Sequence, residues 1–296
     1  AGYIGSHMVK YLQDRKFSVD VIDNFSTGNK WSLKNCTIHS VDLLDKNTLD
    51  KILSKTFYNA VFHFAAKSIV SESFNCEQEY IDNNITASKN LLDVLLKYKI
   101  KNIIFSSSAS VFGMVNSGKV NENYPKIPVN PYGKTKLIFE EMLKNHACKA
   151  GINSVILRYF NAAGADESAQ IGEFHVPETH LIPRIFNNIL SKDSILKIYG
   201  NDYQTKDGTC IRDYIHVNDL VHAHFLAFKK IANNNGCFDF NLGNGNGFSV
   251  LEIIKVCESV TKMKVNYQFV NKRNGEPEFL VADNSKAISE LKWKIV

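Results

Sequence analysis

A chain of 296 residues with 44% hydrophobic and 22% charged content can bury at least one substantial core and has an ordinary globular composition. No apolar run approaches the ~18 residues needed to span a bilayer, and a formal charge of +5 is spread over scattered lysines, which argues against a nucleic-acid surface. Six cysteines without CxxC or zinc-type spacing fit a reduced, cytoplasmic compartment and give no reason to expect a metal.

In chain order, short strand-like runs alternate with helical patterns, the signature of a parallel sheet covered by helices on both faces. The spacing predicts a helix over residues 5–16, with Met8, Tyr11 and Leu12 as its apolar stripe. A strand over 17–23 runs into the turn-rich segment 24–28. Strands over 36–43 and 60–66 follow, separated by a helix near 46–54. A long helix over 79–98 precedes a strand over 102–110 that ends in a serine cluster. A helix over 132–150 and a strand over 153–161 complete this half. Beyond residue 164 the alternation loosens, with shorter strands over 195–199 and 265–270. Helices are expected over 180–191, 219–230 and 249–263, the last opening on the capping-box spacing of Ser249 and Glu252. The chain therefore divides into a nucleotide-binding part, 1–164, and a smaller mixed α/β substrate part, 165–296, some of whose segments return to the first. The sequence opens inside a glycine motif, so a preceding strand and first glycine, and a final helical segment, are expected on a longer polypeptide.

Gly2 and Gly5 stand directly before a helical pattern. A glycine turn lets backbone approach a pyrophosphate, and the helix start supplies free N–H groups. Asp23 lies eighteen residues after Gly5, at a predicted strand end. An acid there accepts both ribose hydroxyls of an adenosine and repels a 2′-phosphate, which favours NAD over NADP. Tyr132 and Lys136 stand four apart at a helix start, so both project from one face. An adjacent ammonium and a cationic nicotinamide would stabilise the phenolate of Tyr132 and make it a general base. Ser108, at the end of the serine strand, can hydrogen-bond the same hydroxyl.

With these residues in view, the chain resembles the extended short-chain dehydrogenase/reductase family, and within it the UDP-hexose 4-epimerases. AGYIGSH at 1–7, VIDN at 21–24, FSSSASVFG at 105–113 and NPYGKTK at 130–136 carry the likeness. So do LRYFNAAGA at 157–165, PETHLIP at 177–183, GNDYQTKDGT at 200–209 and RDYIHVNDL at 212–220. The resemblance implies a Rossmann-type doubly wound sheet, bound NAD, a UDP-hexose substrate, a homodimer, and inversion at sugar C4 through a transient 4-keto sugar. By the same resemblance Gly2, Tyr3, Ile4 and Gly5 hold the pyrophosphate of NAD, Asp23 and Asn24 its ribose, and Asp42 and Leu43 its adenine. Phe64, Ala65, Ala66, Asn83 and Phe160 line the rest of the cofactor path. Asn161, Leu181, Tyr199, Arg212 and Arg273 hold the UDP. Glu276 stands where relatives often place Asp, His180 where they place Asn, and Lys67 and Ser68 near a nicotinamide-side lysine. Leu280 flanks the sugar's 2-substituent, so N-acetylhexosamine forms are a second expected substrate pair. A structural alternative for Arg212 is an ion pair with a nearby acid such as Asp213. Two rivals remain. A 4,6-dehydratase needs extra carboxylates after the strand-end serine, where this chain has Ser108-Ala109-Ser110. A silent NAD(P)-sensing protein would be free to lose the tyrosine or the lysine.

Overall fold

The computed structural model describes residues 1–115, 118–191, 194–273 and 275–296. Helix α1 (Tyr3–Asp14) buries Met8 and Leu12 and is followed by strands β1 (Asp20–Asp23) and β2 (Thr37–Ser40). Helix α2 (Lys46–Leu53) is capped by Asp45, whose side chain accepts from the Thr48 N–H. Strand β3 (Val61–His63) leads to the short helices α3 (Val70–Ser73) and α4 (Glu77–Ile81). One widened turn at Asp82–Thr86 then joins α4 to α5 (Ala87–Lys97). Strand β4 (Asn102–Ser108), helix α6 (Pro131–Ala150) and strand β5 (Asn153–Tyr159) follow.

The later part holds β6 (Asn161–Ala163), α7 (Leu181–Leu190), β7 (Leu196–Tyr199), β8 (Ile211–His216) and α8 (Val217–Asn233). Next come β9 (Cys237–Leu242), β10 (Gly247–Ser249) and α9 (Val250–Thr261), whose capping box between Ser249 and Glu252 is formed. Strands β11 (Tyr267–Val270) and β12 (Phe279–Leu280) and helix α10 (Ser285–Leu291) close the order.

The fold is α/β and Rossmann-type. Four parallel strands run in the order β3-β4-β5-β9, so a late strand joins the early sheet. Alternating side chains of a strand face opposite sides, and both sides here are covered. Ile103, Phe105 and Ile156 pack against Leu91, Leu92 and Leu95 of α5 and Phe139 and Leu143 of α6. Ile104, Val155 and Leu157 pack against Leu220, Ala223 and Ala227 of α8 and Leu291 of α10. Strands β1 and β2 form a separate parallel pair. Among the described residues no helix is long and apolar enough to cross a membrane.

Two expectations change. The helix expected over 79–98 is broken at Asp82–Thr86, because Asn83 and Asn84 leave the regular pattern to bind backbone: the Lys67 N–H donates to both side-chain oxygens, at 3.0 and 2.8 Å. The strand expected over 17–23 is confined to its last four residues, which are the ones paired with β2.

Candidate active site

Helix α6 opens at Asn130, whose side chain accepts from the Gly133 N–H at 2.7 Å, and Pro131 takes the first helical position, where a missing N–H costs nothing. Gly133 faces the end of β4, where a Cβ would stand 2.5 Å from the Ser110 carbonyl oxygen. That close approach brings Tyr132 and Lys136 against the serine strand. Both are buried, at 7% and 4% exposure. Lys136 Nζ donates to the Ser106 carbonyl at 2.8 Å and lies 5.8 Å from the centre of the Tyr132 ring. Ser108 ends β4, and its Oγ accepts from the Ser110 N–H at 3.1 Å.

The electrostatics of the protein alone are dominated by burial. Burial raises the Tyr132 phenol above its ordinary value, and the neighbouring Ser108 hydroxyl opposes that rise. Burial also pushes Lys136 down to about 7, against the counter-pull of Glu140. Behind it His63 is pushed down to about 3, by burial first and then by the charge of Lys136. The protein alone therefore favours the protonated phenol of Tyr132 and the neutral amine of Lys136, both by desolvation. Desolvation outweighs the help of the Ser108 hydroxyl, so a phenolate requires further positive charge in the site.

Every residue that the sequence assigned to cofactor or substrate lines a single cleft of about 2250 Å³. At one end α1 starts at Gly2 with no side chain capping its free N–H groups, and a Cβ on Gly2 would meet nothing within 4 Å. Tyr3, Ile4 and Gly5 form its first turn, and the Tyr3 hydroxyl donates to the Gly164 carbonyl at 2.6 Å. Asp23 ends β1, where Oδ1 accepts from the Phe25 N–H at 2.7 Å. Gly28 packs close to this carboxylate, where a Cβ would stand 2.9 Å from Asp23 Oδ1 and push the side chain aside. Asn24 donates to Asp42 at 2.8 Å, joining the two loops, with Leu43 beside them. Phe64, Ala65, Ala66, Asn83 and Phe160 line the middle. Open backbone at a helix start with an acid at the next strand end suits a dinucleotide, and NAD in particular.

The other end is built by the later strands. Arg212 lies on β8, where Nη1 donates to the Ile211 carbonyl at 2.8 Å. Its Nη2 stands 3.1 Å from Glu276 Oε1 and closes no hydrogen bond. Its acidic neighbour is thus Glu276; Asp213 instead accepts backbone N–H bonds from Asn244, Gly245 and Ala282. A buried guanidinium nitrogen left without a hydrogen bond is a ready donor for an anion. Arg273 stacks 3.8 Å over the Tyr199 ring and holds that phenol below its ordinary value. Asn161 and Leu181 start β6 and α7, and Leu280 on β12 is half-buried at the wall. Lys67 is held by Glu72 and Glu79.

Two supporting residues escaped sequence reasoning. Asn84 donates to Thr135 of α6 and to the Lys67 carbonyl, each at 3.0 Å, tying the cofactor wall to the tyrosine helix. Glu140 is fully buried, accepting from Ser107 at 2.6 Å and from Arg158 at 2.8 and 2.7 Å. The position of Glu140 four residues after Lys136, on the same helix face, was the available signal.

Residues 1–243 match the NAD dependent epimerase/dehydratase family, and the chain belongs to it. It is 44% identical over 296 residues to a UDP-glucose 4-epimerase of Halalkalibacterium halodurans, covering 99% of this chain and 88% of that protein. The fold superimposes on a UDP-glucose 4-epimerase from Brucella ovis in complex with NAD with a TM-score of 0.96. Identity there is 40%, with 100% of this chain and 91% of that one covered. A UDP-glucose 4-epimerase from Bifidobacterium longum in complex with NAD+ and UDP gives a TM-score of 0.95 at 35% identity, with 100% and 91% covered.

Proposed function

We propose that this chain is a UDP-hexose 4-epimerase that interconverts UDP-glucose and UDP-galactose. The observation that carries the reading is the buried Tyr132–Lys136 pair beside Ser108, in the middle of a cleft with a dinucleotide turn at one end and two arginines at the other. The turn at Gly2–Gly5, with Asp23, Asn24, Asp42 and Leu43, would hold NAD, which when bound accepts a hydride from a substrate carbon and gives it back. Arg212 and Arg273 would grip the UDP diphosphate, helped by Asn161, Leu181, Tyr199 and Glu276. Tyr132 takes the proton of the sugar 4-hydroxyl, and Ser108 orients that exchange. Lys136 supplies the nearest positive charge to the phenolate. The resulting 4-keto sugar, anchored through its diphosphate, turns its other carbonyl face toward the cofactor side of the cleft, so the hydride would return to the opposite face of C4 while Tyr132 gives the proton back to the 4-oxygen. The cofactor is regenerated in each turnover and need not leave.

Dehydration is disfavoured because no carboxylate adjoins Ser108 in the 108–110 stretch. A non-catalytic sensor would have no use for burying a lysine that burial pushes toward about 7 beside a tyrosine. The reading includes the division into a dinucleotide part, 1–164, and a substrate part, 165–296. It also includes a homodimer in a reducing cytoplasm, where six free cysteines persist. Incubation of purified protein with UDP-galactose and no added NAD tests it. UDP-glucose should appear; no turnover, or a 4-keto-6-deoxy product, would overturn it.

A further inference from the structure

The segment just before α7 gathers four metal-ligating side chains, Glu173, His175, Glu178 and His180, on the cleft wall. One nitrogen or oxygen from each lies within 4.8 Å of all the others. His175 Nδ1 stands 3.3 Å from Glu178 Oε2 and 3.7 Å from Glu173 Oε1. His180 Nδ1 stands 4.0 Å from Glu178 Oε1 and directly contacts Glu173 Oε1. The two carboxylates are withdrawn from water, with side-chain exposures of 7% for Glu173 and 10% for Glu178. A buried carboxylate is stabilised by hydrogen-bond donors, paired cations or a metal, and Glu178 Oε1 accepts the Thr179 and His180 N–H groups at 2.7 and 2.8 Å while Oε2 faces His175. Among the described residues no lysine or arginine bridges either one, and the two imidazoles are their only ion-pair partners.

We propose that Glu173, His175, Glu178 and His180 form a structural site for one divalent transition-metal ion, zinc by preference. Zinc takes histidine nitrogens and carboxylate oxygens at ~2.0–2.2 Å in a tetrahedron, which places neighbouring ligand atoms roughly 3.3–3.6 Å apart by geometry. The separations of 3.3, 3.7 and 4.0 Å lie close to that spacing, so small side-chain rotations complete the set. Two carboxylates and two neutral imidazoles balance a 2+ charge. Calcium and magnesium prefer all-oxygen shells of six or more ligands, which two imidazoles do not supply. Four protein ligands leave no open position, so the ion is structural and takes no part in the chemistry. Its place defines its effect. The clasp spans Glu173 to His180, and the next residue is Leu181, the first of α7. Phe174, inside the clasp, packs edge-on against Trp31 at 5.9 Å, so a bound ion would also brace the cleft wall against the loop after β1.

Metal content reads this directly and independently of any activity. The full chain, purified without chelators or affinity metal, is assayed by mass spectrometry, stripped with EDTA and titrated with Zn2+ against a chromophoric chelator. One tight equivalent is expected, and Co2+ in its place should give the strong visible absorption of four-coordinate cobalt. His175→Gln should weaken that equivalent by more than the ~10–100-fold that loss of a supporting contact costs, and should abolish the cobalt band. Glu173→Gln provides a second variant should the first not fold. Wild type that binds Zn2+ no more tightly than His175→Gln, or cobalt spectra unchanged by both variants, would overturn the proposal.

Discussion

Replacing Lys136 by methionine should move activity and stability in opposite directions. The methionine keeps an unbranched stem beside the Phe105 and Tyr132 rings while the charge disappears. An ammonium held at about 7 instead of 10.5 bears an ionisation penalty of roughly 5 kcal/mol at ~1.4 kcal/mol per tenfold. Against this stands the lost bond to the Ser106 carbonyl, whose stranding costs about 1–3 kcal/mol. The cofactor-free variant should therefore be some ~2–4 kcal/mol more stable than wild type at pH 6. The sign follows from proton counting. Between about pH 7 and 10.5 the unfolded lysine binds a proton that the folded one has released, so wild-type stability rises with pH there. The advantage of the variant is full below pH 7 and fades as pH climbs toward 10.5. Urea denaturation of the stripped proteins at pH 6, 7.5 and 9 measures it, with turnover of UDP-galactose assayed in parallel and expected to fall ~10²–10⁴-fold. A variant less stable at pH 6, or a stability difference independent of pH, would refute the assignment of Lys136 as a destabilising buried base.

Three further substitutions probe the cleft. Tyr132→Phe keeps the ring and removes the ionisable oxygen, so turnover should drop ~10²–10⁴-fold while NAD still copurifies, as absorbance and mass spectrometry of the extracted nucleotide would show. Asp23→Ala should weaken NAD retention and narrow its advantage over NADP, because an acceptor and a repulsive charge go together; equilibrium dialysis with both nucleotides checks this. Leu280→Tyr should spare UDP-glucose and UDP-galactose and selectively impair the N-acetylhexosamine pair, read as separate kcat/KM values. Equal loss on both would mark Leu280 as a packing residue of the cluster around Phe112 and Phe160.

Much of this architecture was legible in the sequence because its signals are local. Apolar spacing marked α1, α2, α6 and α9, and the capping residues Ser249 and Glu252 marked where α9 starts. Glycines before a helix, an acid at a strand end and a tyrosine four residues from a lysine all keep their meaning at short range. The rest depends on distant partners. Strand β9 reads as Cys237-Phe-Asp-Phe-Asn-Leu, an alternating pattern that could have been recognised, yet its place beside β5 is set by packing across the sheet. Strand β12 has two residues and exists because β8 offers an edge. For Arg212 the sequence offers, as an alternative to binding UDP, an ion pair with a nearby acid such as Asp213; three backbone N–H groups already satisfy that carboxylate, and the acid that approaches the guanidinium is Glu276. The protonation of Tyr132 and Lys136 could not be read from spacing, because burial decides it and burial is a property of the folded chain.

The central claim is that C4 is inverted by oxidation and return within one closed site built around Tyr132. Its most direct test follows a deuterium placed at C4 of UDP-galactose during turnover in ordinary water without added NAD. The product UDP-glucose should carry the deuterium at C4 undiluted, as mass spectrometry and proton NMR would show, since the atom leaves and returns without meeting solvent. Loss of the label to water, or inversion at C4 that persists undiminished in Tyr132→Phe, would contradict the account.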